Sequence, residues 1–202
     1  MANRDYTTDS LIENYLNKEI PDVDLNPFIL ATQKYIEQYT HRVFKADSTA
    51  SARSYDGNGR QALNIDDCVE VTLVEIGNNT WGDSYTTIPS SGANSYITLP
   101  TNNEADEVPI NKIGLRANVW THGVANNRIT AKWGYSVEVP SDIQFAATVL
   151  ASGMYNENKG GNTGAIKSEK IGQYSVTYAD SKGADDLKRS MEILDSYRKM
   201  FI

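Results

Sequence analysis

Trp133-Gly-Tyr-Ser-Val-Glu-Val-Pro-Ser-Asp-Ile-Gln-Phe-Ala-Ala-Thr-Val-Leu-Ala-Ser-Gly-Met-Tyr155 carries the chain out of a strand, round a corner and into a helix. Ile129, Ala131 and Trp133 alternate with Thr130, Lys132 and Gly134, the period-two pattern of a half-buried strand. Pro140 removes an amide hydrogen where a starting helix can spare one, and Ser141 with Gln144 has the form of a capping box. Beyond them Ile143, Ala146, Ala147, Leu150, Ala151 and Met154 recur at helical spacing. Alanines dominate one side, and small side chains let another backbone approach closely, so this segment is predicted to be the central packing helix.

Upstream of the corner the periodicity divides the chain. Leu11, Ile12, Tyr15, Leu16 and Ile20 predict a short amphipathic helix, capped by Asp9 or Ser10 and ended by Pro21. A longer helix follows, with Asn26 as cap, Pro27 at the first helical position and a stripe of Phe28, Ala31, Thr32, Tyr35, Ile36, Tyr39, Val43 and Phe44. From about Ala52 the period shortens. Asp56-Gly-Asn-Gly59 reads as a tight turn, and Val69, Val71, Leu73, Glu75 and the residues between them as a strand ending at Gly77-Asn-Asn79. Shorter strands are predicted at Ser84 to Ile88, Ser95 to Leu99, Ile110 to Val119 and Asn127 to Trp133, spaced as in a small antiparallel sheet or open barrel.

Downstream, the polar, glycine-rich stretch Asn156 to Lys170 has too little apolar area to order itself and reads as a mobile loop. Alternation from Ile171 to Tyr178 predicts a strand, and Leu187, Met191, Leu194, Tyr197 and Phe201 run down one side of a last helix. The expected fold class is α+β: a core of about four helices and one late strand or hairpin from residues 1–50 and 135–202, with an inserted antiparallel β domain at 51–134.

At 202 residues the chain suits one domain, or one carrying a smaller insertion, and twelve Tyr, three Trp and four Phe supply a substantial core. Nineteen basic against 26 acidic residues leave a net charge of −7, which argues against nonspecific nucleic-acid binding by the whole surface. Cys68 is alone and reads as a buried structural thiol. The first ten residues contain no apolar signal region and no run approaches a membrane span, so folding in a reducing, aqueous compartment is expected.

No candidate catalytic or metal constellation converges. Asp66 and Asp67 are adjacent, facing opposite sides if in a strand, and a loop is the preferred reading. Asp56-Gly-Asn-Gly-Arg60 begins like a calcium loop, but Arg60 stands where an oxygen ligand belongs, so a hairpin turn is expected instead. His41 and His122 have no second ligand at zinc spacing. Gly134-Tyr-Ser-Val-Glu138 has only the first glycine of a nucleophile elbow, and Gly164-Ala-Ile-Lys-Ser168 lacks the glycine before lysine that a phosphate loop needs. No enzyme, metal or cofactor is therefore expected.

The order of elements resembles the head-to-tail connector (adaptor) proteins of long-tailed bacteriophages. It is carried by two N-terminal helices, Tyr55-Asp-Gly-Asn-Gly59 at the first turn of a β insertion, Trp133-Gly-Tyr-Ser136, Val139-Pro-Ser-Asp-Ile143 opening an alanine-rich helix that ends at Tyr155, then Ser168 to Tyr178 and a closing helix with Ile193-Leu194-Asp-Ser-Tyr-Arg198. Each piece alone is a weak motif. The resemblance implies a virion protein of the phage neck, assembled in the host bacterial cytoplasm, that forms a ring under the portal and extends the DNA channel toward the tail.

The implied partners are the portal protein, further copies in a ring that is a dodecamer in the family, the next neck or tail-completion protein, and DNA in transit, with no membrane. Lys159, Lys167 and Lys170 in the polar loop and Tyr197, Met200, Phe201 and Ile202 at the C-terminal end are the candidate portal or subunit interface. The alternatives are a tail-completion or head-plug protein, or a carbohydrate-binding or surface-attachment β module whose Trp81, Trp120, Tyr85 and Tyr96 stack on a ligand. An exposed aromatic row on one sheet face would favour the latter.

Overall fold

The computed structural model describes residues 4–21, 23–159, 167–171, 174–178 and 181–199. The fold is mixed α+β, with four helices and a six-stranded antiparallel sheet among the described residues. It forms two compact units, one from Met1–Arg42 and Val139–Ile202, the other from Val43–Glu138.

In the first unit, α1 (Asp9–Leu16) is capped by Thr8, whose extended backbone lets its hydroxyl accept the Leu11 N–H at 3.3 Å. Asp9 and Ser10 are therefore already helical. The helix stops at Asn17, in the left-handed region at φ 50°, ahead of the expected Pro21. Likewise α2 (Asn26–Thr40) is preceded by Leu25, and Asn26 sits inside the helix with its backbone and side-chain N–H groups on Asp24 Oδ1. His41, left-handed at φ 57°, ends it, so Val43 and Phe44 leave the predicted stripe and join the other unit.

The alanine-rich segment is α3 (Ser141–Lys159), and it packs against α1, α2 and α4 (Ser181–Tyr197). Its buried residues, Ile143, Ala146 to Gly153 and Tyr155, lie on all sides, as a central helix requires. The Pro140 carbonyl accepts the Gln144 N–H at 2.9 Å, so Pro140 precedes the first turn and Ser141 is helical, where the sequence pattern had placed the cap. Asn156 to Lys159, expected in a loop, complete the helix. Lys167 to Lys170, also expected there, lie in β7 (Lys167–Ile171), which pairs with β8 (Tyr174–Tyr178) in an antiparallel hairpin. One apolar cluster joins Ile12, Ile20, Leu25, Ile29, Ala151 and Tyr155.

In the second unit the strands are β1 (Ser51–Gly57), β2 (Ala62–Gly77), β3 (Tyr85–Ile88), β4 (Tyr96–Leu99), β5 (Ile110–Leu115) and β6 (Gly123–Trp133). Their order is β1-β6-β2-β5-β4, with β3 on the far end of β2. β2 begins at Ala62, seven residues before the expected Val69, so Asp66 and Asp67 stand in a strand and not in a loop. Asp66 faces out to Arg53 and Tyr55, while Asp67 is buried. The buried face switches along β2, from Leu63, Ile65 and Asp67 to Cys68, Val74 and Ile76. The change falls between Asp67 and Cys68, which are both buried, at the end of the irregular stretch where the register of β2 against β5 shifts between Asn64 and Cys68.

Asp56-Gly-Asn-Gly59 is not a hairpin turn, because β6 lies between β1 and β2. Asn58 instead closes a local turn, its Oδ1 accepting the Arg60 N–H at 2.9 Å. The core of this unit gathers Ile113, Trp120, Ile129, Trp133 and Cys68, all essentially solvent-free. Burial, reinforced by the neighbouring Asp67, pushes the Cys68 thiol up to about 12. Because the thiolate is the reactive species, Cys68 is expected to resist maleimide labelling at mildly alkaline pH in the native protein and to label stoichiometrically in urea. Rapid native labelling would contradict its buried position.

Candidate functional site

The predicted interface residues fall at separate places in the helical unit. Tyr197 ends α4, where its hydroxyl donates to Asp142 Oδ2 at 2.9 Å in the first turn of α3, and its carbonyl accepts from Arg42 Nε at 2.6 Å. Two residues on, the Lys199 N–H donates to the Thr40 carbonyl at 2.9 Å, and the Arg198 guanidinium lies over the Tyr39 ring at 5.4 Å. The end of α4 is thus tied to the start of α3 and the end of α2. Lys159 lies at the opposite end of α3, about 25 Å along its axis from Asp142. Its ammonium donates to the Tyr155 hydroxyl at 2.7 Å, and Tyr155 stands edge-on to Phe28. Lys167 and Lys170 occupy β7 opposite Tyr178 and Ser175. Met200, Phe201 and Ile202 lie outside the described residues.

A second candidate surface is built from the loops at one end of the β unit. Asn126, fully buried, ties them together: its Oδ1 accepts from the Gly57 N–H at 3.1 Å, and its Nδ2 donates to the carbonyls of Thr121 at 2.9 Å and Asn79 at 3.2 Å. Asn127 Nδ2 adds a bond to Asn126 Oδ1 at 2.9 Å. Asn79 Oδ1 accepts the N–H groups of Trp81 and Gly82, so the backbone carrying Trp81 is pinned while its ring is 84 % exposed. Val124, the second residue of β6 at the same end, is 75 % exposed. Nothing in the local pattern marked Asn126 and Asn127 as buried, because an amide is buried only where distant backbone groups can satisfy it.

The four aromatics of the carbohydrate reading do not form a row. Trp120 is fully buried, with its indole N–H donating to the Ile113 carbonyl at 3.3 Å, and Tyr85 lies beneath the Arg128 guanidinium at 4.5 Å. Tyr96 is half-buried on β4, and Trp81 alone projects into solvent. Arg128 also makes a bidentate pair with Glu75, at 2.7 and 2.9 Å, which holds the Glu75 carboxyl below its ordinary range. Among the described residues no three His, Cys, Asp or Glu side chains gather to hold a metal ion, and no helix is long and apolar enough to cross a membrane.

No protein-family model matches the sequence, and no curated protein matches it. Solved structures do share the fold across the whole chain. A chain from the neck of an empty gene transfer agent particle, computed with C6 symmetry, superposes with a TM-score of 0.60 at 11 % identity, covering 100 % of this chain and 94 % of the other. A chain of the native gene transfer agent virion gives 0.57 at 16 % identity with the same coverage. One from the native neck computed with C12 symmetry gives 0.58 at 13 % identity, again covering 100 % and 94 %. The resemblance to head-to-tail connector proteins read from the order of elements is thus met at the level of fold, in neck chains of phage-like particles.

Proposed function

We propose that this chain is a structural, non-enzymatic protein of the neck of a phage-like particle, forming a ring below the portal that joins head to tail and extends the DNA channel. The observation that carries the reading is the fold shared along the full length with chains of gene transfer agent necks. The C6 and C12 symmetries of those necks support a cyclic assembly whose copy number is a multiple of six, with a dodecamer as the proposed state. Rings of this kind close through heterologous contacts, in which two different patches of one chain meet on neighbouring copies. A net charge of −7 suits a channel through which DNA passes without adhering.

The helical unit supplies the proposed portal or subunit contacts. Tyr197 at the end of α4 with Met200, Phe201 and Ile202 after it is one proposed contact segment, and Lys159 at the far end of α3 with Lys167 and Lys170 of β7 are the other proposed contact residues. Virion incorporation after synthesis in the host cytoplasm, and a following neck or tail-completion protein as a further partner, belong to the same reading.

Light scattering on a sizing column tests it, with the protein alone and mixed with purified portal rings. Co-elution in a fixed ratio, with a protein mass equal to a six-fold multiple, is the expected result. A chain that remains monomeric in both samples overturns the ring below the portal, and a ring that ignores the portal favours a tail-completion role.

A further inference from the structure

The braced loops of the β unit and an acidic loop of the same unit occupy opposite ends of one strand. β6 starts at Gly123, paired with Gly57 beside Asn126, and finishes at Trp133, paired with Cys68. Cys68 also pairs with Ile110, the first residue after the loop that follows β4. β6 has 11 residues, so the two ends stand about 30 Å apart. One end carries Trp81, Val124 and Val119, exposed by 84, 75 and 53 %. Arg60 and Arg116 are exposed on loops of that same end, joined where Trp120 N–H donates to the Arg60 carbonyl at 2.9 Å. Neither arginine makes an ion pair with another described residue. The two acids of this end are engaged locally, Asp56 by the Ala125 N–H at 2.6 Å and Asp83 by the Asn79 amide.

At the other end Glu104, Asp106 and Glu107 are exposed, and no lysine or arginine occurs from Thr101 to Asn111. A tryptophan whose backbone is fixed by two hydrogen bonds loses little conformational entropy on docking, and tryptophan and arginine are the side chains that most often anchor interfaces. A chain with these two features at opposite ends is complementary to a second copy of itself in head-to-tail register.

We infer that the Trp81 end of the β unit docks on the Glu104–Glu107 loop of a neighbouring copy. The apolar side chains Trp81 and Val124 are the anchor, and Arg60 and Arg116 select the acidic loop. The contact is heterologous, so repeated around an axis it closes a ring, and in this it rests on the ring reading above. Opposite charges at the rim set register and association rate, so the contact weakens as salt rises.

Sedimentation velocity of the full chain over a concentration series, at low and high salt, tests the inference. Trp81→Ser, the pair Arg60→Glu with Arg116→Glu, and the pair Glu104→Arg with Asp106→Arg are each expected to weaken self-association by roughly ten-fold or more. All five positions are solvent-exposed, so unchanged thermal melts are expected to show that each variant folds. Mixing the two charge-reversed proteins in equal amounts restores association, because each reversed end then meets a reversed partner. Wild-type association undiminished in the three variants, or no rescue on mixing, overturns this contact and leaves the ring reading to its portal test. A wild-type chain that stays monomeric throughout also overturns it, and the ring reading then stands or falls on whether portal rings collect the protein.

Discussion

A Trp120→Ala chain is expected to lose about 3–5 kcal/mol of the β unit's stability, a large part of the ~5–15 kcal/mol that holds a domain of ordinary size together. Trp120 is fully buried among Ile113, Ile129 and Trp133, so its removal leaves a cavity that the surrounding strands fill only in part. The indole N–H bond to the Ile113 carbonyl is lost as well. Its backbone bonds the loop after β5 to the loop before β2, accepting from Gly59 at 3.1 Å and donating to Arg60 at 2.9 Å, so relaxation of the cavity would disturb both. Trp120→Phe keeps most of the volume and gives up the hydrogen bond, and is expected to cost about 1–2 kcal/mol. Urea unfolding followed by circular dichroism orders the three proteins, with the slope checked because two units need not melt as one. Equal midpoints for wild type and Trp120→Ala would place Trp120 on the surface after all.

Gly57→Ala is the second substitution of large effect, expected to cost about 3 kcal/mol or more, at the upper end for overpacking. A Cβ at position 57 would lie 1.6 Å from the Thr121 carbonyl oxygen and 2.5 Å from Asn127 Nδ2, and a backbone oxygen cannot yield as a side chain can. Moving it breaks the bonds that Thr121 accepts from Asn126 and Asn127, so the brace beneath Trp81 loosens. Gly59→Ala is the control. Gly59 has a left-handed backbone at φ 70° but open space around its Cβ position, so only backbone strain of roughly 1–2 kcal/mol is expected. Comparison of the two urea midpoints separates space from strain. A Gly57→Ala cost equal to or below that of Gly59→Ala would contradict the close approach of Thr121.

The three tryptophans illustrate how far local pattern reaches. Trp133 sits in an alternating strand and is buried as the alternation requires. Trp81 and Trp120 both stand outside strands among polar residues, and their surroundings look alike in sequence. One is exposed and the other is the centre of a core, a difference made by the strand pairings that carry the segment before β6 across the sheet's interior. The same holds for the interface residues. Lys159 of the polar stretch and Tyr197 of the last helix are both expected at an interface, yet the length of α3 separates them and internal hydrogen bonds engage both.

The sequence by itself determined the elements whose evidence is periodic and local: an alanine-rich central helix after Pro140, two shorter helices before the sheet, and antiparallel strands between them. Those signals are set within a turn or two of backbone, which one stretch of chain contains. Only the tertiary structure decided the pairing of β1 with β6 across what looked like a hairpin turn, the face exchange along β2, the burial of Asn126 and Asn127, and the exposure of Trp81. Each depends on a partner far away in the chain. A buried amide, a bulge or a bare tryptophan has its free energy set by the groups folding brings against it, and no residue carries that in its own neighbours.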